Sequence, residues 1–421
     1  MLQSIYAGVS SLQSFQTSID VLSNNIANVN TVGFKGSSTE FSDLFNKEIS
    51  TSGNAITSMQ SGLGVRVSTT ALDISKGSFS QTNKSTDLAI AGDDGWFGLS
   101  GPNESQYFTR AGNFHFDPYS EDGTLDNVRL SSEEGYFVTG TSANNTTNGV
   151  LNPIVQRSEL DLTTVTTQES LIFPAELDYP VQATTQANFF GNLDLTDLSH
   201  VVTSEVISPN DERNSLRLEF TQSAIQPTTG VNWDIVATTQ SIDGTTIYDT
   251  QPGLIRFDQT GTLIDVDLNS INNDGAPVTA SFTNGLVGMT SNDRTFTGAG
   301  IPDDGVLSGK LVDYTVNNDG EVISSFTNGQ YSVVGKVAVY HFQNDQGLEA
   351  VNGNKFRSSN NSGQPIFYAE NNGHILSHTL ESSNVTLETA LTELIIMQRS
   401  YDAASKTITT GDELLKNALQ M

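Results

Sequence analysis

Ile5, Leu12, Ile19 and Ile26 stand seven residues apart, and Phe15, Leu22 and Val29 follow the last three of them at an offset of three. This is a heptad stripe, the spacing that puts apolar side chains on one seam of a helix. Ser, Gln, Thr and Asn fill the positions between, and Asp20 is the only charged side chain before Lys35. The pattern predicts a helix of about 25 residues, ~37 Å long, which stops near Asn28 where Asn-rich sequence and then Gly33 interrupt it. At the other end of the chain Leu387, Leu391, Leu394, Tyr401, Ile408, Leu415 and Leu419 keep a and d spacing, with Gln398, Ser405 and Asp412 between them. Ser382, Ser383 and Asn384 are cap candidates, Glu388 suits the first turn, and Asp402 with Lys406 and Asp412 with Lys416 are favourable i,i+4 pairs. Two terminal helices with complementary stripes are expected to pair. A signal anchor is the poorer reading of the first, because it lacks a basic leading segment and a continuous apolar run.

Between the helices the period changes. Ser50 to Gly64 is rich in Ser, Gly and Thr and reads as an arm or extended linker within 34–70. From about Ala71, Leu88 and Ile90, Trp96 and Phe97, and Tyr107, Phe114 and Phe116 fall in short runs divided by Gly, Asp and Asn, which is strand and turn chemistry. Val312, Tyr314 and Val316, the turn Asn318-Asp319-Gly320, and Val333, Val337 and Val339 resume that pattern much later. A discontinuous β domain over 71–158 and 303–379 is therefore predicted. Within it, 159–302 reads as an inserted outer β domain, on Leu216 to Phe220, Trp233 to Ala237 and Ile264 to Leu268 with turns at Asp243-Gly244 and Asp274-Gly275. The fold class is multidomain and mainly β outside, with nested domains and a helical, coiled-coil-like domain formed by 1–33 and 380–421.

Composition narrows the function. The 421 residues carry a formal charge of -29, from 48 acidic and 19 basic side chains. That balance argues against nucleic acid and against an anionic membrane surface, both of which are met by clustered Lys and Arg. Only 16% of residues are charged and 36% are hydrophobic; Ser, Thr, Asn and Gln make up the difference, a surface suited to packing against copies of itself. There is no cysteine, hence no disulfide, thiolate metal site or cysteine nucleophile. No apolar run reaches the roughly 18 residues of a membrane span.

Catalytic or metal chemistry finds little support. His374 and His378 are four apart, but Gly373 and two asparagines make a helix doubtful there and no third ligand is evident. Asp117 to Gly123 has Tyr119 where a calcium loop needs an oxygen, so a turn is the better reading. Gly62-Leu63-Gly64 and Gly298-Ala299-Gly300 lack the phosphate-loop pattern. Asp265 and Asp267 lie on the polar edge of a strand. No catalytic, metal or cofactor residue is nominated, and the chain is read as a non-enzyme.

The run Ser23 to Lys35, with Leu380 to Val385 and Met397-Gln398-Arg399-Ser400-Tyr401, resembles the rod and hook family of axial proteins of the bacterial flagellum. Asp87 to Gly92, Phe108 to Phe114, Tyr314 to Gly320 and Phe342 to Leu348 agree with it. The resemblance is greatest to members with a large insert, which counts against the distal rod protein. It implies a structural subunit that self-assembles into a curved tube joining rod to filament and transmitting torque. It also implies extracellular placement, export by the flagellar type III apparatus without a cleaved signal peptide, and as partners other copies, the rod, a cap and the junction proteins before the filament. The residues expected at assembly contacts are Ile5, Leu12, Phe15, Ile19, Leu22, Asn24, Asn25, Ile26, Asn28, Asn384, Leu387, Leu391, Leu394, Tyr401, Ile408, Leu415 and Leu419. A secreted acidic β-rich enzyme or carbohydrate-binding protein is the competing class, and it leaves the heptad termini unexplained.

Overall fold

The computed structural model describes residues 2–44, 46–49, 59–62, 64–92, 94–101, 105–120, 126–152, 168–284, 287–352, 354–367 and 375–420. The two terminal helices form as the heptads predict: α1 is Leu2–Ala27 and α2 is Leu387–Leu419, and they pack on each other. The helix start differs from the cap candidates, because α2 begins after Thr386, which makes no side-chain cap bond. Ser383 Oγ instead accepts the Val385 N–H, and Asn384 is engaged with other segments.

Part of 34–70 is strand. Ser37–Asp43 and Val65–Leu72 pair antiparallel as a two-stranded ribbon. The ribbon lies along α1: Ser14 Oγ donates to Val65 O at 3.1 Å, Ser18 and Thr39 share a hydroxyl hydrogen bond, and Asn25 exchanges two hydrogen bonds with the Ser37 backbone. Phe15 and Phe41 meet edge to face at 6.0 Å. Gly64, at φ +114°, leaves room for α1, since a Cβ there would stand 2.1 Å from Ser10 Oγ.

Strands from both sides of the insert close into one barrel. Gly140 pairs with Val337 and Asp178 with Lys310, so the two halves are interleaved rather than stacked. Leu88, Phe97, Phe114, Val138, Phe173, Val322 and Val337 fill its core. A satellite cluster of Trp96, Phe108, Tyr340, Phe342 and Phe356 lies beside it. Strands 169–170, 172–174 and 178–179 belong to this barrel. Asn318-Asp319-Gly320 makes the turn between Gly309–Val316 and Glu321–Phe326, with Asn317 Oδ1 accepting the Asp319 and Glu321 N–H groups.

The second β unit runs from Gln186–Asp194 to Ala299–Pro302. A five-stranded antiparallel meander, from Ser199–Ile207 to Leu263–Leu268, covers a six-stranded sheet built around Gln186–Asp194. Alternation decides which face is inward: Leu216, Leu218 and Phe220 are buried while Arg217 and Glu219 between them are half exposed and pair with each other. Trp233 centres this core, and its Nε1 donates to Ser291 Oγ at 3.0 Å.

Candidate assembly surface and junction

The helix pair meets at small residues. A Cβ on Gly8 would stand 2.7 Å from Ile408 Cγ1, and one on Gly411 would stand 2.9 Å from Ile5 Cγ1. Ala390, Ala404 and Gly411 are the buried positions of α2. They fall at heptad spacing one residue away from Leu391, Ser405 and Asp412 of the apolar stripe. The helix is thus turned so that its small side chains face α1, which lets the backbones approach closely.

That rotation sets where each expected contact residue stands. On α1, Leu22 and Asn25 are buried, Ile5, Leu12, Phe15, Ile19, Ile26 and Asn28 are half-buried, and Asn24 is exposed. On α2, Leu394, Ile408 and Leu415 are half-buried, Ile408 against Gly8 of α1, and Asn384 just before the helix is half-buried as well. Leu387, Leu391, Tyr401 and Leu419 are exposed, and Ile395, Ile396 and Leu414 join them. Leu391 and Ile395, at 42% and 51% exposure, therefore present an apolar row to the outside of a helix already paired on its other side.

Both chain ends are tied to the barrel at one place. Phe79–Gln81 pairs with Thr379–Glu381, and Leu88–Ile90 with Ile375–Ser377. Asn384 accepts the Gly36 N–H at 2.8 Å and donates to Asp73 O at 2.9 Å, which joins the start of α2 to the residues that flank the two ribbon strands at their shared end. Beneath it lies a buried ionic cluster. Glu381 Oε1 accepts from Lys35 Nζ at 2.7 Å and from the Gly77 N–H at 2.9 Å, while Oε2 faces Arg110 Nη1 at 3.4 Å. All three charged side chains are at most 1% exposed. Lys35 also donates to Ser75 O at 2.7 Å, and Arg110 lies over the Trp96 ring, whose Nε1 donates to Asp345. Burial drives the Lys35 ammonium below its ordinary pKa, with Glu381 pulling it back up.

This cluster does not follow from heptads or strand periods. Its members lie in three of the segments that carry the flagellar resemblance, Ser23 to Lys35, Phe108 to Phe114 and Leu380 to Val385, and that coincidence is the one signal in the sequence that points to it. A cleft of about 690 Å³ opens alongside, lined by polar residues such as Asn24, Asn28, Glu133 and Glu134 and by apolar ones such as Phe34 and Phe356. Asn354 bridges it, donating to Val32 O at 2.6 Å.

The residues weighed for other chemistry sit apart. His378 is in a left-handed turn at φ +55°, and His374 lies outside the described residues. Asp117 accepts Ser131 Oγ at 2.5 Å and faces His115, and 121–123 lie outside the described residues. Asp265 pairs with Arg256 on the meander surface. Among the described residues no group of three or more His, Asp or Glu is arranged for a metal, and no helix is long and apolar enough to cross a membrane.

Two family profiles match the ends of the chain: the flagella basal body rod protein profile over residues 5–35, and the flagellar basal body rod FlgEFG protein C-terminal profile over 376–421. Along its length the chain is similar to flagellar hook protein FlgE of Brucella suis, 30% identical over 424 residues that cover 97% of this chain and 96% of that one. It is 27% identical to the protein of the same name from Salmonella typhimurium, over 98% of each chain, and 27% identical to that of Borreliella burgdorferi over all of both. In fold it is similar to the crystal structure of Helicobacter pylori flagellar hook protein FlgE2, with a TM-score of 0.52 over 72% of this chain and 99% of that one at 15% identity.

Proposed function

This chain belongs to the flagellar hook protein family, and from that premise we propose that it is the structural subunit of the bacterial flagellar hook. Its copies assemble into a curved tube outside the cell that joins rod to filament and carries torque. The reading is structural rather than catalytic. The observation that carries it is the full-length similarity to hook proteins, joined to an apolar row on α2 that the chain's own partner helix leaves uncovered.

In this reading Leu387, Leu391, Ile395 and Tyr401 meet neighbouring copies, while Leu22, Leu394, Ile408 and Leu415 hold α1 and α2 together within one copy. The axial domain is 1–33 with 380–421. The strand pairings support a barrel that extends through residue 179 and an inserted outer domain that starts after it rather than at 159. The other partners are the rod, the hook cap, the hook–filament junction proteins and the type III export apparatus, which passes the chain without removing its amino terminus.

Leu391→Asp tests the assembly surface directly. The side chain is exposed in the single chain, so the variant should be exported and folded, yet a carboxylate buried at a subunit contact costs several kcal/mol. Electron microscopy should find no tubes from the purified variant under conditions where the parent chain polymerises. Hooks of normal length and normal motility in a strain carrying Leu391→Asp would refute it.

A further inference from the structure

The barrel and the inserted unit are joined by two crossing segments, 180–185 outward and 303–308 back. Gln182 and Val306 exchange both backbone hydrogen bonds at 2.8 Å, so the segments lie side by side. Asp304 ties them further: its Oδ1 accepts the Thr185 and Gln186 N–H groups at 2.8 and 3.0 Å, and its Oδ2 accepts Thr185 Oγ1 at 2.5 Å. Thr184, fully buried, donates its N–H to Ile207 O and accepts the Ile207 N–H at its hydroxyl, both at 2.9 Å. The two crossings are thereby one stalk rather than two loose strings.

A second carboxylate acts differently. Asp211 sits in the turn between Ser199–Ile207 and Arg213–Gln222, at φ +64°. It reaches out of the inserted unit to Ser308, accepting the N–H at 2.7 Å and the hydroxyl at 2.5 Å. Ser308 directly precedes Gly309, which pairs with Tyr179 as the first residue of a barrel strand, and Asn328 of the barrel donates to Leu307 O at 2.8 Å. The Asp211 contact therefore ties the inserted unit to the barrel end of the return segment, whereas those of Asp304 hold the end of the outward segment and Gln186, the first residue of the inserted unit.

We infer that Asp211 is a latch that sets the angle of the inserted unit on the barrel, and that the Asp304-tied stalk is the pivot about which the unit swings when the latch opens. Asp211 and Ser308 are both exposed. Opening exchanges the two hydrogen bonds for bonds to water, a small net change, and strands no charge in a dry site. Hydrogen bonds from Ser308 hold the Asp211 carboxyl below the ordinary aspartate range, consistent with an ionised acceptor. This device belongs to the single chain and stands apart from the assembly reading.

The absence of cysteine allows site-specific spin labels at Tyr331→Cys on the barrel and Ile225→Cys on the inserted unit, both highly exposed. Distances between them would be measured on the full chain by pulsed electron resonance. Asp211→Gly removes both latch bonds and suits the left-handed backbone. It should broaden the distance distribution about twofold and raise exchange of the Ser308 amide roughly tenfold while Thr185 keeps its protection. Ser308→Ala, whose change lies outside the inserted unit, should broaden the distribution less. An unchanged distribution in Asp211→Gly overturns the inference, as does equal deprotection of Thr185 and Ser308.

Discussion

Replacing Glu381 with Gln should loosen the chain ends from the barrel far more than removing Lys35. In the native cluster one carboxylate faces two cations, all at most 1% exposed. Glu381→Gln keeps the shape and leaves both cations buried without that counter-charge, and breaking a buried ionic group by removing one partner typically costs 3–5 kcal/mol. Lys35→Met leaves Arg110 and Glu381 as a one-to-one pair and loses the hydrogen bonds from Nζ to Glu381 and Ser75, a loss of ~1–3 kcal/mol. Hydrogen exchange reads the difference locally, because the Gly33 N–H donates to Glu381 O and the Gly77 N–H to Glu381 Oε1. Exchange in peptides carrying Gly33 should quicken between about 150-fold and 5,000-fold in Glu381→Gln, and at most about 150-fold in Lys35→Met. The sign with pH follows. The folded pKa of Lys35 lies below its ordinary 10.5, so the folded state releases that proton first and stability is gained as pH rises through the folded value toward 10.5. The deficit of Glu381→Gln should therefore shrink in alkali. Equal effects of the two substitutions, or a deficit that grows in alkali, would show that the cluster is not held together by charge.

Two further outcomes are expected. The carboxyls of Asp194, Asp243, Asp249 and Asp258 are held below the ordinary aspartate value of 3.8, chiefly by hydrogen bonds from Thr196, Ser241, Asn272 and Thr260 respectively. Their contribution is complete above that value and is lost as pH falls through the folded pKa values; calorimetry should show the inserted unit melting earlier from about pH 4 downward, and a transition temperature flat to about pH 2 would contradict it. Because Gln182 and Val306 are a hydrogen-bonded antiparallel pair, replacing 183–305 with Asn-Gly should close a two-residue hairpin and leave a folded barrel that polymerises into a thinner, straighter tube; an insoluble chain would count against the nesting.

The parts of this molecule that repeat locally were legible, and those that depend on distant partners were not. Heptad spacing announced both helices, and strict alternation in Leu216 to Phe220 announced a meander strand. Between the helices the stripe residues Ile5 and Ile408 meet Gly411 and Gly8, which a hydrophobic reading passes over because Leu and Ile dominate it, while small residues decide how closely the backbones approach. Residues 169–179 look like part of the insert because their strands are two or three residues long, too short to show a period, and their barrel partners lie far off in sequence. The ionic cluster was beyond local reading for the same reason: Lys35 and Arg110 are 346 and 271 residues from Glu381.

The placement of charge along the subunit argues for where it yields under load. At the junction of the chain ends, separating the barrel from the helices exposes an ionic cluster that was built dry, and any partial opening strands a buried charge before water can reach it. At the joint to the inserted unit, Asp211 and Ser308 stand in water already, so partial opening replaces each lost bond at once. The two sites thus differ in barrier more than in number of bonds. In the proposed tube, and with the latch as inferred, load is resisted at the junction of the chain ends, where the cluster holds, and relieved at the joint to the inserted unit, where each lost bond is remade with water.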